Sequence, residues 1–147
     1  MATFRLRVVT PERTVFDRTA SEIVTRSVEG EIGILAHHMP IITPLVPHAL
    51  TVYLEDQTVE HLAVAGGFLE VHGEEVLILA DAAEPAAEVD VSRAEAARAR
   101  AEARLAQTSE DVDIPRAQRA LARALSRISA AQDVDGRPHG GASAATK

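Results

Sequence analysis

The stretch VLILADAAEPAAEVDVSRAEAARARAEARLAQ, residues 76–107, changes its period partway along, and that change decides the fold. Its first five residues form an unbroken apolar run of strand length. Ala82-Ala83-Glu84-Pro85 interrupts the run, and from Asp90 onward the pattern is helical. Asp90 or Ser92 can cap that helix, the latter with Glu95 in an S-x-x-E box. The helical pattern reaches about Gln107, which gives roughly 25 Å of helix at 1.5 Å per residue.

Towards the N-terminus the signal is strands. Phe4, Leu6 and Val8 alternate with Arg5 and Arg7, as a half-buried strand requires. Further strands are expected over Thr14–Phe16, Glu22–Val28, Glu31–Leu35, Ala49–Leu54, Val59–Ala65, Phe68–Val71 and Val76–Ala80. Turn residues separate them: Thr10-Pro11, Gly30, Gly33, Glu55-Asp56-Gln57, Gly66-Gly67 and Gly73. Many short strands with no helix between them imply an antiparallel sandwich or flattened barrel, not a parallel βαβ sheet. Met39–Pro47, the most apolar stretch, is broken by Pro40, Pro44 and Pro47 and enters this reading as no strand.

Towards the C-terminus, Thr108-Ser109-Glu110-Asp111 reads as a short linker, and Asp113 with Pro115 opens a second helix. Ala117, Leu121, Ala124, Leu125 and Ile128 form one stripe, with Arg116, Arg119, Arg123 and Arg127 opposite at spacings of three and four. A short linker makes the two helices an antiparallel hairpin. The chain thus divides into a β-sandwich domain over 1–85, a helical hairpin over 86–132 and a Gly-, Pro- and Ser-containing tail over 133–147 that reads as disordered. Large apolar side chains in the hairpin are few: Val91, Leu105, Ile114, Leu121, Leu125 and Ile128. Packing of that kind leaves the hairpin either a stable lid or an element with two arrangements that a ligand can bias.

Composition narrows the function. The chain has 147 residues, 46% of them hydrophobic and 3% aromatic, so it has material for a core but little for base stacking. A formal net charge of -7 argues against nucleic-acid binding. The charge is uneven. No Lys or Arg lies between Arg26 and Arg93, a span with twelve acidic residues, whereas eight arginines fall between Arg93 and Arg127. Zero cysteines exclude disulfides and thiolate chemistry. No run approaches the roughly 20 apolar residues of a membrane span, and the alternating N-terminus lacks a secretory h-region. The expectation is a soluble intracellular protein that reaches a membrane only through a partner.

Catalytic motifs are not evident, and no catalytic or metal-binding residue is assigned. His37 and His38 are adjacent and would point to opposite faces of a strand, unlike the alternate histidines of a cupin-like metal site. The histidines are read as surface or loop residues, with a metal-dependent sandwich enzyme as the competing class. Gly66-Gly67 lacks the following Lys and helix of a phosphate cradle and reads as a strand bend or close approach. Arg93, Arg100 and Arg104 line one flank of the first helix; they suit a phosphate-bearing ligand or an acidic partner, or simply a solvated face with Glu95, Arg98 and Glu102 pairing along the helix.

Six stretches, VVTPERTVFD (8–17), EGEIGILAHHMPIITPL (29–45), VAGGFLEV (64–71), VLILADAAE (76–84), VDVSRAEAARARAEARL (89–105) and DVDIPRAQRALARAL (111–125), together resemble the epsilon subunits of bacterial F-type ATP synthases, over about residues 3–131. The chain differs in having Ala36-His37 where that family usually has Pro-Gly or Pro-Asn, and in its tail beyond Gln132. The resemblance implies a flattened sandwich followed by a two-helix hairpin. It also implies a non-catalytic place in the central rotor stalk, on the cytoplasmic face of the bacterial plasma membrane, bound to the gamma subunit and the c-subunit ring. Glu31 and His38 would then lie at the base that meets the ring. The hairpin would dock on the sandwich or extend towards the alpha/beta catalytic head, where Arg116, Arg119, Arg123 and Arg127 would restrain ATP hydrolysis. Some members bind ATP through an I/L-D-x-x-R-A motif; the matching residues are Val89, Asp90, Arg93 and Ala94, with Arg100 as a second phosphate-facing cation. On this resemblance no cofactor is required and ATP is a regulatory ligand. The alternative is a stand-alone ATP-sensing module.

Overall fold

The computed structural model describes residues 2–107 and 110–133. Its strands are β1 (Phe4–Val9), β2 (Thr14–Ser27), β3 (Gly30–Leu35), β4 (Ile41–Leu54), β5 (Val59–His72), β6 (Glu75–Ala80) and β7 (Ala83–Pro85); a 3-10 turn at Ala86–Glu88 leads to α1 (Val91–Ala106) and α2 (Ile114–Asp133). The strands run in the order β1-β6-β5-β4-β2-β3, and β1 also pairs with β2, which closes five of them into a flattened barrel. β7 adds to β5. All these pairings are antiparallel except one: β1 and β6 run parallel at the seam of the barrel. The interior is filled by alternate residues of each strand, among them Leu6, Val8, Ile23, Ile34, Leu50, Val52, Leu62, Leu69 and Ile78, all fully buried.

Three strands are longer than the sequence pattern suggests. β2 runs unbroken through Asp17, Arg18 and Thr19, which a hydrophobicity pattern reads as a gap. They stay in the strand because they pair with Arg7, Leu6 and Arg5 of β1, and ion pairs Arg5–Asp17 (2.8 Å) and Arg18–Glu60 fasten the outer face. Tertiary pairing here overrides local composition. β4 takes in Ile41–Pro47 despite two prolines. The ladder with β2 slips at this point, jumping from Val24↔Thr51 to Ser27↔Leu45, and an irregularity of that kind accommodates residues without an N–H. The Pro44 carbonyl still accepts from the Val28 N–H at 3.2 Å.

β5 passes through Gly66-Gly67 without ending, with φ of 98° and 136°. A Cβ on Gly67 would stand 2.0 Å from the Leu79 carbonyl oxygen, so the pair is a close-approach device that brings the end of β6 tightly against β5. His37, in the turn after β3, has φ 64°. That is the left-handed region where Gly or Asn fits most easily.

In the helical part Asp90 is the cap: its Oδ1 accepts from the Arg93 N–H at 3.1 Å, and α1 starts at Val91. Ser92 therefore lies inside the first turn, and the expected S-x-x-E box is not used; Glu95 pairs instead with Arg98 at 3.8 Å. Asp113 caps α2 through the Arg116 N–H at 3.0 Å. α1 packs on α2, and α2 lies on β4 and β5. Ala94 and Ala101 of α1, and Ala117 and Ala124 of α2, are buried at seven-residue spacing, and methyl-sized side chains allow two antiparallel helices to approach closely. Of the large apolar residues expected to fasten the hairpin only Ile128 is buried; Val91, Ile114 and Leu125 stand more than a third exposed. Leu125 therefore leaves the stripe on which its spacing placed it. Of the linker, Thr108 and Ser109 lie outside the described residues, as do residues 134–147 of the tail.

Candidate functional site

The hairpin meets the sandwich along a seam of small residues separate from the barrel interior. Ala63 of β5, Ala86 after β7 and Ala130 of α2 are buried together, with Ala49 and Val89 packed against them. Each buried methyl contributes about 0.8 kcal/mol. Beside the seam Arg127 Nε donates to Glu84 Oε1 at 2.9 Å, both side chains about a third exposed. Under this pair lies a cavity of about 140 Å³ lined by Ala65, Ala82, Ala83 and Ser126 as well. A volume of that size is well below the roughly 300 Å³ at which ligand pockets begin.

The four arginines of α2 share one side, and at its C-terminal end that side faces the sandwich. Arg123, Arg127 and Ala130 follow at spacings of four and three, so the basic row continues into the seam. Arg116 and Arg119 are exposed, Arg123 is half-buried and Arg127 is held by Glu84. Ser126 next to them is buried, its hydroxyl donating to the Arg123 carbonyl at 2.7 Å. Docking thus hides the C-terminal half of the row and leaves the N-terminal half in water. Glu84 was not singled out by sequence reasoning; its partner is 43 residues away, and no local spacing could reveal it.

Within Val89–Ala94 the apolar and polar positions separate. Val89 packs in the seam and Ala94 is buried against α2, while Asp90 and Arg93 are exposed. Arg100 and Arg104 stand above Arg93 along α1, also exposed. Arg98 is occupied, bonded to Glu102 at 2.9 Å.

Glu31 and His38 occupy opposite ends of the β3 region. Glu31 is exposed and pairs loosely with Arg26 at 3.8 Å. His38 lies in the turn after β3, its Nδ1 2.7 Å from the Met39 carbonyl. On the outer face of the sheet the register sets side by side Val9 and Leu79, Leu79 and Phe68, and Phe68 and Pro44, with Val28 bonded beyond. Phe68 is 53% exposed and Ile42, on the same face, 74%. An apolar row of this kind on a water-facing sheet marks an interaction surface.

One histidine is neither surface nor loop. His48 is buried, with Nδ1 2.7 Å from the Val46 carbonyl and Nε2 2.7 Å from Thr25 Oγ1. A carbonyl can only accept, so Nδ1 carries the proton and Nε2 accepts from the threonine. Burial, with the nearby Arg26 charge, pushes its pKa below the usual histidine value. Among the described residues no group of three or more His, Asp or Glu is arranged to hold a metal ion, and no helix is long and apolar enough to cross a membrane.

Comparison with known proteins gives this geometry its context. Residues 3–86 match the family model of the ATP synthase delta/epsilon chain beta-sandwich domain, and residues 87–132 that of its long alpha-helix domain. The ATP synthase epsilon chain of Brevibacillus brevis is 45% identical over 107 residues, 73% of this chain and 81% of that one. The epsilon chain of Carboxydothermus hydrogenoformans is 50% identical over 103 residues, 70% of this chain and 76% of that one. A chain in the cryo-EM structure of the Euglena gracilis mitochondrial ATP synthase, OSCP/F1/c-ring in rotational state 1, superposes with a TM-score of 0.77 at 26% identity, covering 88% of this chain and 82% of that chain. The chain therefore belongs to the ATP synthase delta/epsilon family, beside the epsilon chains of the bacterial F-type enzymes.

Proposed function

We propose that this chain works in the central rotor stalk as a non-catalytic subunit that helps couple proton flow to ATP synthesis and restrains ATP hydrolysis through a movable hairpin. The observation that carries this reading is the fastening of the hairpin unit: an alanine seam and two part-exposed ion pairs, Arg127–Glu84 and Arg13–Glu88, separate from the barrel interior. A surface of that strength holds α2 in place yet releases it without unfolding the sandwich. Release frees Arg127 from Glu84 and uncovers Arg123, so that Arg116, Arg119, Arg123 and Arg127 form one continuous basic edge for acidic surfaces of the alpha/beta catalytic head. In the assembled enzyme, replacing the four arginines with Ala should raise the ATPase rate; an unchanged rate counts against the restraint.

The sandwich supplies the fixed contacts. The apolar row of Val9, Leu79, Phe68 and Pro44 suits the gamma subunit, and Glu31 and His38 suit the polar loops of the c-subunit ring. This arrangement keeps the chain peripheral, on the cytoplasmic face of the bacterial plasma membrane, with no membrane contact of its own. Pull-down with gamma tests the assembly: a folded chain that forms no complex with gamma removes this reading and leaves a stand-alone ATP sensor.

ATP enters as a regulatory ligand of the docked hairpin. Arg93 and Arg100 are exposed cations that form no ion pair among the described residues, and Asp90 keeps one carboxylate oxygen beyond its cap bond. Arg93→Ala should weaken ATP binding by about 1–3 kcal/mol. Asp90→Ala should do likewise, and also removes the α1 cap, so the arginine variant is the cleaner measurement. No heat in calorimetry at millimolar ATP would remove the nucleotide role.

A further inference from the structure

A cleft at the Leu35 end of β3 has no place in the reading above. Its volume is about 460 Å³; Glu22, Leu35, Ala36, Tyr53, Leu54 and Gln57 line it, and no residue of α1 or α2 does. Strand register builds it. Leu35 of β3, Glu22 of β2 and Tyr53 of β4 lie side by side across three strands. Their neighbours Ile34, Ile23 and Val52 are buried on the other side of the sheet, so this row faces outward.

Two properties of the cleft point to one kind of occupant. The first is an open edge. β3 bonds to β2 along one side, and among the described residues no strand lies on its other side. Soluble proteins protect such edges with Lys or Pro, and Gly30–Leu35 has neither; its one charge, Glu31, is drawn towards Arg26. The second is an uncompensated carboxylate. Among the described residues Glu22 makes no hydrogen bond or ion pair, and its Oε1 lies 3.8 Å from where a Cβ on Gly33 would stand. The missing side chain at Gly33 leaves a clear lane from the β3 edge to that carboxylate. Burial pushes the Glu22 carboxyl above its usual range, and burial with the charge of Glu22 pushes the Tyr53 phenol up as well. A cation placed between them would relieve both.

We propose that this cleft is an interaction surface for an extended basic segment of a partner protein, whose backbone adds to the free edge of β3 and whose Lys or Arg side chain crosses Gly33 to the Glu22 carboxylate, with Tyr53 on its far side. Strand addition supplies affinity and the socket supplies selection. The aliphatic stem lies along Leu35, and the charged head meets the Glu22 carboxylate. The chain's net charge of -7 favours a basic partner from a distance.

The chain carries its own reporter: Tyr53 is its one tyrosine, and there is no tryptophan. Intrinsic fluorescence of the full chain, titrated with a capped Thr-Lys alternating octapeptide, should change saturably and lose the change at high salt. A Thr-Glu octapeptide should give none. Glu22→Gln should weaken the basic peptide roughly tenfold or more, and Glu22→Lys should exchange the preference to the acidic peptide. Gly33→Arg, at a position whose backbone tolerates a side chain, should fill the socket from within and block binding while far-UV circular dichroism stays unchanged. Equal response to both peptides, no response at millimolar peptide, or binding untouched by Glu22→Gln overturns the proposal. A Tyr53 signal in the peptide-free chain that shifts on Arg137→Gln would also overturn it, by showing the socket filled from the chain's own C-terminal segment.

Discussion

The sandwich and the hairpin are both rich in small and aliphatic residues, yet they are held by different means. The barrel interior closes around Leu6, Ile23, Ile34, Leu50, Leu62, Leu69 and Ile78, with each strand bonded to its neighbours. The hairpin rests on that barrel through the methyls of Ala63, Ala86 and Ala130, assisted by the ion pairs Arg127–Glu84 and Arg13–Glu88. Burying a Leu or Ile side chain contributes about 1.5–3 kcal/mol, an alanine methyl about 0.8. Alanine therefore permits close packing without committing much free energy to it. Opening the first region would expose the whole barrel interior, whereas undocking the second would expose little more than methyls.

The sharpest way to break this contrast is at Gly67. A Cβ there would stand 2.0 Å from the Leu79 carbonyl oxygen and 2.9 Å from the Ala80 Cα, in a backbone conformation with φ 136°. Both obstacles are backbone, so neither can move aside cheaply. Gly67→Ala should cost more than about 4 kcal/mol, the range reserved for steric and strain failures, and urea unfolding should show the sandwich lost. Gly66→Ala shares the positive φ, but its nearest obstacle is the Leu45 carbonyl at 3.3 Å, so it should cost less. If Gly67→Ala unfolds within about 1 kcal/mol of the unaltered chain, β5 and β6 do not need their close approach and the barrel is looser than described.

A smaller and more selective effect is expected at Ala130, which is fully buried in the seam. Ala130→Leu adds three heavy atoms at a fully buried position packed against Ala63 and Ala86. Overpacking of this kind costs about 1–3 kcal/mol, and the chain can relieve it by undocking α2. Hydrogen exchange should quicken along α2 while amides beside Leu50 and Leu62 keep their protection. Equal loss of protection in both regions would make the seam and the barrel one cooperative unit.

What could be read in the sequence follows the same division. The alternation of Phe4, Leu6 and Val8 and the helical spacing after Asp90 report which side of an element is buried, so architecture and the site of the period change were accessible. Continuity of strands was not, because it depends on partners. Asp17, Arg18 and Thr19 look like a gap until β1 lies beside them, and Pro44 looks like a break until the β2 ladder slips opposite it. The parallel pairing of β1 with β6 joins residues about seventy positions apart and leaves no local trace. At the candidate site, spacing was enough to gather the arginines into one row. It could not show that the row turns towards the sandwich, since that orientation depends on Ala130 fitting against Ala63. Spacing also misassigned His48 to the surface, because one polar residue inside a strand gives no sign of a buried threonine hydroxyl waiting for it.

That histidine offers the most graded way to sharpen the comparison, because it lies within the sandwich. Thr25 Oγ1 donates to Nε2, and the Val46 carbonyl accepts from Nδ1–H, so the neutral ring is fully satisfied inside the barrel. Burial and the Arg26 charge keep its pKa below the value of about 6.5 that it takes in the unfolded chain. Between those two values the unfolded state binds more protons, so stability rises with pH there. It is complete above about 6.5 and is lost as pH falls towards the folded value, with a slope of at most about 1.4 kcal/mol per pH unit. Glu22 acts in the opposite sense near the carboxylate range, since burial raises its pKa, and the two are separable by pH. Urea midpoints measured from pH 7.5 to 5 should therefore fall for the unaltered chain and fall less for His48→Gln, whose amide can still meet Thr25. The same midpoint slope in both chains would mean that His48 titrates in the folded barrel as freely as in water, and that this end of the interior is open to solvent in a way the seam beneath α2 is not.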